Sequence, residues 1–459
     1  MAAVQPDGQP GARGGRRMTG IGQDPRVRAY LDAVCSKVRA KERHAEIREE
    51  LLGHLEELAE ELRAEGMEEP EAAREALRRM GDAERVGAGL HLVHRPKPDL
   101  WLAAMAVLLL LAGLAYVYGL QQRWPYESTL LQKQLLHGAA GLVVLTACYY
   151  APLQSLRRWS WPIFGAGAAL LAAAPRLGVQ VNGHRGYYNL GPLIVESAGP
   201  AILFMLIGAA GILSRLETGK AGQTSLWRDA VDKAALLGML PAFLFLYSND
   251  LSRLPLYAAG LGVIVLLNRR WRLAAVGAAM VPVIVLAAMV FKEPYFYYAW
   301  ERLTGTGMAK GSSEYQLAIA LDAVRSAGWL GQGFHAGPDS TVPVSSEFLF
   351  PFLVYSLGWA FGLLLGTLLL LFSGRCLAQA LRVQDCHARA LAAALAAVFG
   401  VQTIWSLLLT FGIVPVIGYS LPLLGWGSPL LGEMAMLGLL LGLIRQRDRK
   451  PAAFSSAAG

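Results

Sequence analysis

The chain has 459 residues, of which 54% are hydrophobic and 17% charged, with a formal net charge of +8 and a mean hydropathy of +0.38. This apolar content exceeds that of soluble domains and excludes a soluble or disordered chain as a whole. The Lys and Arg residues lie in short blocks between apolar runs, so the charge is mainly a topology signal, with attraction to anionic lipid a secondary gain. It gives no argument for nucleic acid binding.

The first hundred residues are polar and divide into two parts. Residues 1–24 are rich in Gly, Arg and Gln and predict a disordered tail. Residues 25–95 carry apolar residues at helical spacing, in one stripe that starts at Val27 and another that starts at Ile47. They predict a small cytoplasmic helical domain. The first long apolar run begins only at Trp101, so no cleavable signal peptide is expected.

The rest of the chain, residues 96–446, predicts an all-α polytopic transmembrane domain, followed by a cytoplasmic tail at 447–459. Runs of 17–25 apolar residues cross the ~30 Å core of a bilayer as helices, and by this rule we count about ten. The predicted segments are 101–120, 134–153, 161–179, 193–213, 233–247, 254–267, 273–291, 348–372, 388–410 and 421–444. The fifth and sixth are shorter than the rule asks, and a re-entrant or tilted helix is the alternative for both.

The basic residues of alternate loops predict the orientation. Short basic loops stay on the cytoplasmic side of a membrane, and the blocks around residues 157–158, 215–228, 269–272 and 375–389 fall on one side if both termini are cytoplasmic. The 292–347 loop is then external. None of the four cysteines, Cys35, Cys148, Cys376 and Cys386, lies in an outer loop, so no disulfide framework is expected.

The most informative stretch is a polar, Gly-rich loop that ends in an acid at the eighth apolar segment. It contains residues 328–333, GWLGQG, then Pro343 and residues 346–350, SEFLF. A carboxylate at the membrane is unfavourable without a function or a partner. The sequence therefore singles out Glu347.

Two further blocks lie on the same predicted side. Residues 412–422, GIVPVIGYSLP, precede the last apolar segment, and Arg185 with residues 189–192, NLGP, lies between the third and fourth segments. In chain order, the three blocks resemble motifs of the SEDS family, polytopic membrane proteins typified by FtsW, RodA and SpoVE that act in bacterial cell-wall synthesis. The resemblance covers roughly residues 101–443. The N-terminal domain separately resembles the "permease prefix" helical modules of some Gram-positive membrane proteins.

The resemblance implies a peptidoglycan glycosyltransferase that uses lipid II in cell-wall synthesis, division or cell-shape control. Glu347 matches the family's catalytic aspartate, which implies a general base for the attacking sugar hydroxyl. The implied substrate contacts are Arg185, Gln332, Ser346 and Pro422. The diphosphate leaving group calls for Arg185 or a divalent cation, Mg or Mn. Family members usually work with a class B penicillin-binding protein, so such a transpeptidase is the implied partner.

Several positions depart from the family pattern and leave other functions open. Glu347 is one methylene longer than the family's aspartate, and the family's paired acids, E-E-x-G, are replaced by residues 355–358, YSLG. The family's Q-P-S-E motif with a following Lys reads ESAG at 196–199, with no Lys. A non-catalytic scaffold or regulator of the wall-synthesis machinery, or a transporter of the lipid-linked precursor, therefore remains possible.

Three more acids are candidates for function. Glu196 and Glu433 fall inside predicted spans, where an acid marks either a cavity or an ion pair with a neighbouring helix. Asp339, in the 292–347 loop, is a possible metal ligand, while His335 nearby is read as a solvent-facing loop residue. No complete set of metal ligands is recognisable from spacing.

Overall fold

The structure is a computed structural model that describes residues 21–38, 44–94, 99–123, 129–181, 184–214, 226–291, 313–333 and 346–447. The chain divides into two compact units, one within residues 1–97 and one within residues 98–451. The predicted disorder of the N-terminal tail and most of the predicted C-terminal tail lie outside the described residues.

The first unit consists of four helices. They are α1 (Pro25–Lys37), α2 (His44–Ala64), α3 (Glu69–Met80) and α4 (Ala83–His94). The Asp24 side chain accepts a hydrogen bond from Arg26 N at 2.8 Å and caps α1. Ile21, inside the segment predicted to be disordered, is buried, and so are the stripe residues Val27 and Leu55. The folded unit therefore includes the end of the predicted tail, because Ile21 adds to its apolar core.

The second unit is a bundle of helices with one small sheet. Its helices are α5 (Leu100–Arg123), α6 (Leu130–Tyr149), α7 (Leu153–Arg158), α8 (Ser160–Leu177), α9 (Ala198–Ser214), α10 (Leu226–Ala234), α11 (Leu240–Tyr247), α12 (Leu254–Leu267), α13 (Trp271–Phe291), α14 (Ser313–Ser326), α15 (Leu349–Leu381), α16 (Cys386–Thr410) and α17 (Pro429–Arg445). A π-helical turn, Ala235–Met239, joins α10 to α11.

Each of the ten predicted apolar segments lies mainly on helix, which confirms a polytopic helical membrane domain. Among the described residues, four stretches are long and apolar enough to span a membrane, namely Leu100–Gln121, Arg228–Tyr247, Ser346–Leu381 and Cys386–Thr410. Three shorter apolar helices accompany them, namely Ala198–Ser214, Leu251–Leu267 and Trp271–Leu286. The fifth segment is longer than predicted, since the π-helical turn makes Arg228–Tyr247 continuous.

The fourth predicted segment is wrong at its start, where an antiparallel sheet replaces helix. Strands β1 (Val179–Val181), β2 (His184–Leu190) and β3 (Leu193–Glu196) pair in the order β1-β2-β3. The β2–β3 turn contains Gly191 at φ +79, and Gly191 N donates to the Asn189 side chain at 3.0 Å. This turn chemistry favours a hairpin over a continuous helix.

The last predicted segment also begins later than expected, at Pro429 instead of Leu421. Once helical, α17 packs tightly on α6. A Cβ at Gly438 would lie 2.2 Å from the Leu145 carbonyl oxygen, and one at Gly442 would lie 2.5 Å from the Tyr149 carbonyl oxygen. These glycines, four residues apart, let the two backbones approach closely, as small residues do between membrane helices.

Candidate active site

Glu347 lies in a 3-10 turn, Ser346–Phe348, directly before α15. Phe348 is fully buried and packs in a small apolar cluster with Ala320 of α14, Leu409 of α16 and Val416. This packing fixes the turn against two helices and leaves the neighbouring Glu347 side chain half-buried. The carboxylate is therefore presented from a rigid anchor.

The Glu347 carboxylate faces Gly418, which belongs to the second motif block. Its Oε1 lies 3.7 Å from the position that a Cβ on Gly418 would take. Gly418 has φ +87, in the region that favours glycine. A glycine here both permits the turn and leaves the space beside the carboxylate open.

The second block is an irregular segment, residues 411–428, whose polar backbone groups are bonded by surrounding helices. The Trp405 indole N–H donates to the Pro415 carbonyl at 3.1 Å. Leu423 N donates to the Glu433 carboxylate at 2.7 Å, and Gly427 N donates to the Gln134 side chain at 3.0 Å. Irregular backbone inside a membrane protein requires such internal partners. Glu433 thus accepts a hydrogen bond from the backbone of this irregular segment, which is a different role from the ion pair with a neighbouring helix that the sequence leaves open.

The third block contributes the sheet. Glu196, the last residue of β3, forms an ion pair with Arg253, with Nη2 and Oε1 2.7 Å apart and both side chains nearly buried. Of the two roles that the sequence leaves open for Glu196, a cavity or an ion pair, the structure shows the ion pair. Glu196 lies at the end of a strand, however, and not within a helix. Tyr187 lies opposite Glu196 in the register of β2 and β3.

The charges around the Tyr187 phenol set its protonation. Burial, and then the negative charge of Glu196, raise the pKa of the Tyr187 phenol to about 12. Asp250 and Glu347 act in the same direction, while Arg253 opposes them. The phenol therefore stays protonated at neutral pH and can donate a hydrogen bond at this site.

The ion pair is linked to the second block through Tyr419. The Tyr419 hydroxyl donates to the Ser252 carbonyl at 2.7 Å, and the Arg253 guanidinium carbon lies 6.0 Å from the centroid of the Tyr419 ring. Arg253 thus touches parts of the second and third blocks at once. All three blocks converge on one region of the membrane unit.

The Gly-rich part of the first block has a structural role at a break in α15. Gly358 adopts φ 86 and ψ 170, which interrupts the helix. Residues 328–333 lie against this kink, where Gln332 N and Gly333 N donate to the carbonyls of Tyr355 and Ser356, each at 2.9 Å. In return, the amides of residues 359 and 360 donate to the carbonyls of residues 328 and 329. The loop replaces the helical hydrogen bonds that the kink removes.

Next to the ion pair lies a small cavity of about 20 Å³, whose lining includes the polar residues Glu196, Arg253, Gln402 and Glu433. This volume suits a single water molecule. The Gln402 Oε1 atom is buried and has no hydrogen-bond partner among the described residues. A bridging water would satisfy this oxygen.

The four predicted substrate contacts occupy different environments. Arg185 is exposed on β2, two residues from Tyr187 and hence on the same strand face. Ser346 is half-buried beside Glu347, whereas Pro422 is buried in the irregular segment. The Gln332 side chain donates to the Ser326 carbonyl at 2.8 Å, so its amide is occupied at the end of α14. Their contacts with a substrate remain predictions.

The sequence interpretation missed Arg253 and Tyr187 as members of this site. Among the described residues, no group of three or more His, Cys, Asp or Glu side chains could hold a metal ion. The divalent cation therefore stays a prediction, and Asp339 and His335 lie outside the described ranges.

Comparison with known proteins was made by family and by fold. Residues 99–449 match the family model FtsW/RodA/SpoVE, described as "Cell cycle protein". A relative from Nitrosococcus halophilus, "Probable peptidoglycan glycosyltransferase FtsW", is 28% identical over 348 residues, which cover 72% of this chain and 87% of the relative. "Stage V sporulation protein E" of Bacillus subtilis is 22% identical, covering 76% and 98%.

Two solved structures share the fold of the membrane unit. A chain from a study of the structural coordination of polymerization and crosslinking by a peptidoglycan synthase complex has a TM-score of 0.64 at 24% identity, covering 77% of this chain and 99% of that one. The rod shape determining protein RodA of Thermus thermophilus has a TM-score of 0.56 at 22% identity, covering 77% and 98%.

Proposed function

The chain belongs to the FtsW/RodA/SpoVE family of bacterial membrane proteins, and on that premise we propose that it is a peptidoglycan glycosyltransferase that polymerises lipid II. One observation carries the proposal. The Glu347 carboxylate, anchored by Phe348, faces the open space at Gly418, where the three motif blocks converge. A half-buried carboxylate on a rigid turn is the arrangement that a general base requires.

In the proposed reaction, a sugar hydroxyl of the acceptor attacks the anomeric carbon of the lipid-linked donor. Glu347 takes the proton of that hydroxyl, the new glycosidic C–O bond forms, and the bond from the anomeric carbon to the diphosphate oxygen breaks. General-base assistance of this kind contributes typically ~10²–10⁴-fold to a rate. The departing diphosphate gains negative charge, and Arg185, which is exposed on β2, is the residue proposed to neutralise it.

Arg253 and Tyr187 are proposed to support this chemistry. The Arg253 guanidinium is held by Glu196 and packed beside Tyr419, so its contribution is that of a fixed ion pair rather than a mobile cation. Tyr187 supplies a protonated hydroxyl on the strand register opposite Glu196. Preorganised dipoles and charges of this type stabilise developing charge without reorganisation.

We further propose that a class B penicillin-binding protein is the partner and that both termini are cytoplasmic. The likeness in fold to a chain of a peptidoglycan synthase complex supports the first proposal. The basic loops support the second, because such loops stay on the cytoplasmic side. The site around Glu347 would then face outward, where cell-wall precursor is used.

One observation favours a second candidate, a scaffold without turnover. At the positions of the family's paired acids, this chain has Tyr355 and Ser356, both buried at the kink of α15. They cannot supply the charge that those acids would bring. A scaffold would need the fold and a partner surface but no carboxylate chemistry.

Purified full-length protein with lipid II, in the presence and absence of a class B penicillin-binding protein, separates the two candidates. The glycosyltransferase proposal predicts glycan polymer, resolved by gel electrophoresis, whose length distribution does not depend on the transpeptidase's own activity. A stable complex with the transpeptidase that yields no polymer would support the scaffold instead.

A further inference from the structure

A second pocket, of about 300 Å³, lies at the far end of the bundle from Glu347. Its lining includes Asp229 and Lys233 of α10 and the segment 269–272, which joins α12 to α13. Helix α12 starts beside Arg253 and runs 14 residues before it reaches this pocket. At 1.5 Å per residue this separates the pocket from the ion pair by about 21 Å. The pocket is therefore distinct from the proposed active site.

The lining is strongly basic. It contains Lys233, Arg269, Arg270 and Arg272 against the single acid Asp229. Lys233 forms an ion pair with Asp229, one turn away on α10. Apart from that pair, Arg269 and Arg270 still give the lining more positive than negative charge. Arginine forks bind phosphate oxygens in pairs, so this lining suits a phosphate group.

Arg269 has a backbone conformation that favours glycine. Arg269 has φ +53, in the left-handed region. It follows the C-terminal residue of α12, where its N–H donates to the Leu266 carbonyl and the N–H of Arg270 donates to the Val265 carbonyl, each at 3.0 Å. Glycine is the usual residue at this position of a helix end. Arg269 nevertheless lines the pocket at this position.

The other lining residues favour a lipid over a soluble anion. Trp271 is 63% exposed, and Leu213 and Leu273 give the pocket an apolar wall. Tryptophan beside arginine at the end of a membrane helix is typical of the headgroup region. A pocket of about 300 Å³ is at the lower end of the range that holds small organic ligands.

We propose that this pocket binds the phosphodiester headgroup of an anionic phospholipid, in the leaflet at the end of the bundle opposite Glu347. Basic pockets between membrane helices bind such headgroups through the same combination of charge and apolar contact. The glycerol and acyl chains would leave along Trp271 and Leu273. This inference does not depend on the proposed glycosyltransferase activity.

The test uses the full chain in detergent and measures lipid retained by native mass spectrometry. Phosphatidylglycerol is compared with phosphatidylcholine, which has the same phosphodiester but no net charge. The wild-type protein should retain phosphatidylglycerol in preference, and the preference should fall with rising salt. Arg269→Gly should lower phosphatidylglycerol retention by about fivefold, the effect expected for one arginine at a lipid surface.

Arg269→Gly also separates binding from folding, because glycine relieves the backbone strain. Its thermal midpoint without lipid should equal or exceed that of the wild type. Arg382→Gln is the matched control, since Arg382 is an exposed cation at the C-terminal end of α15 and does not line the pocket. Arg382→Gln should change the retention of phosphatidylglycerol by less than about twofold, which is well below the fivefold loss expected for Arg269→Gly.

Three results would overturn the proposal. They are equal retention of the two lipids, wild-type retention in Arg269→Gly, and equal losses in Arg269→Gly and Arg382→Gln. In the last experiment, inorganic phosphate is added in excess as a competitor. If phosphate displaces the lipid and raises the thermal midpoint of the wild-type protein as much as the lipid does, the pocket is a site for soluble phosphate instead.

Discussion

The kink of α15 gives the most specific stability prediction, because a Cβ at Gly358 has no room. In Gly358→Ala the new methyl would lie 2.2 Å from the Trp329 carbonyl oxygen and 2.5 Å from Gly331 N. The backbone at φ 86 and ψ 170 is also accessible mainly to glycine. Alanine in such a conformation costs about 1–3 kcal/mol.

Relief of the clash requires residues 328–333 to leave the kink. Four backbone hydrogen bonds then break, from Gln332, Gly333 and residues 359 and 360. At a net value of about 1 kcal/mol each, these bonds contribute about 4 kcal/mol. With the strain, the expected loss is about 5–7 kcal/mol, beyond the range of about 0.5–3 kcal/mol that covers most point mutations.

Thermal unfolding of the full chain in detergent, followed by fluorescence-detected size-exclusion chromatography, measures this loss. At an unfolding entropy of about 2.1 cal/mol/K per residue, a unit spanning residues 98–451 shifts by about 1.4 °C per kcal/mol. Gly358→Ala should therefore lower the midpoint by about 7–10 °C. Gly374→Ala is the matched control in the same helix, because a Cβ there meets nothing within 4 Å. Its midpoint should stay the same or rise, since alanine favours helix over glycine.

Gly331→Ala tests the same contact from the side of the Gly-rich loop. A Cβ there would lie 2.4 Å from the Ser356 carbonyl oxygen, so this variant should release the same segment from the other side. The double variant should then cost about as much as either single variant. Additive costs, or a Gly358→Ala protein as stable as Gly374→Ala, would refute the reasoning.

Three further predictions follow from other parts of the chain. Glu196→Gln leaves Arg253 without its carboxylate and should lower the free energy of unfolding by about 3–5 kcal/mol. Combining it with Arg253→Met should recover part of this loss. A double-mutant cycle of thermal unfolding that shows no coupling between the two positions would contradict this prediction. A cysteine at Arg185 should react with an impermeant thiol reagent on intact cells and one at Arg382 only after lysis; the reverse would overturn the topology. Residues 25–95 expressed alone should show a helical circular dichroism spectrum and a cooperative melt, whereas a random-coil spectrum would show that the unit needs the rest of the chain.

Apolar run length made the helices of the membrane unit predictable, but not every helix end. Leu193–Glu196 reads LIVE, an apolar run whose β-branched residues fit a strand as well as a span. The hairpin turn at Gly191 decides between them. At the other end, α17 begins only at Pro429, because Glu433 binds Leu423 N in an irregular backbone. The residues before Pro429 are also apolar, so hydropathy alone does not show where the irregular backbone ends and the helix begins.

The predicted site residues were selected by motif, whereas their supports depend on contacts distant in sequence. Glu196 and Arg253 are 57 residues apart, and no local spacing links them. Tyr187 joins the site through strand register, which follows from a sheet that the sequence interpretation did not include. The Gly-rich residues 328–333 are recognisable in the sequence, but their contact with the kink at Gly358 arises only when α14 and α15 pack together.

The most direct test of the account is glycan polymerisation by Glu347→Gln, assayed with lipid II and the transpeptidase partner. The amide keeps the shape of the side chain but cannot accept the proton, so polymer formation should be lost while the thermal midpoint and membrane insertion stay at wild-type values. Glu347→Asp, which restores the family's residue, should retain activity. Polymer formation by Glu347→Gln at the wild-type rate would contradict the assignment of Glu347 as the general base.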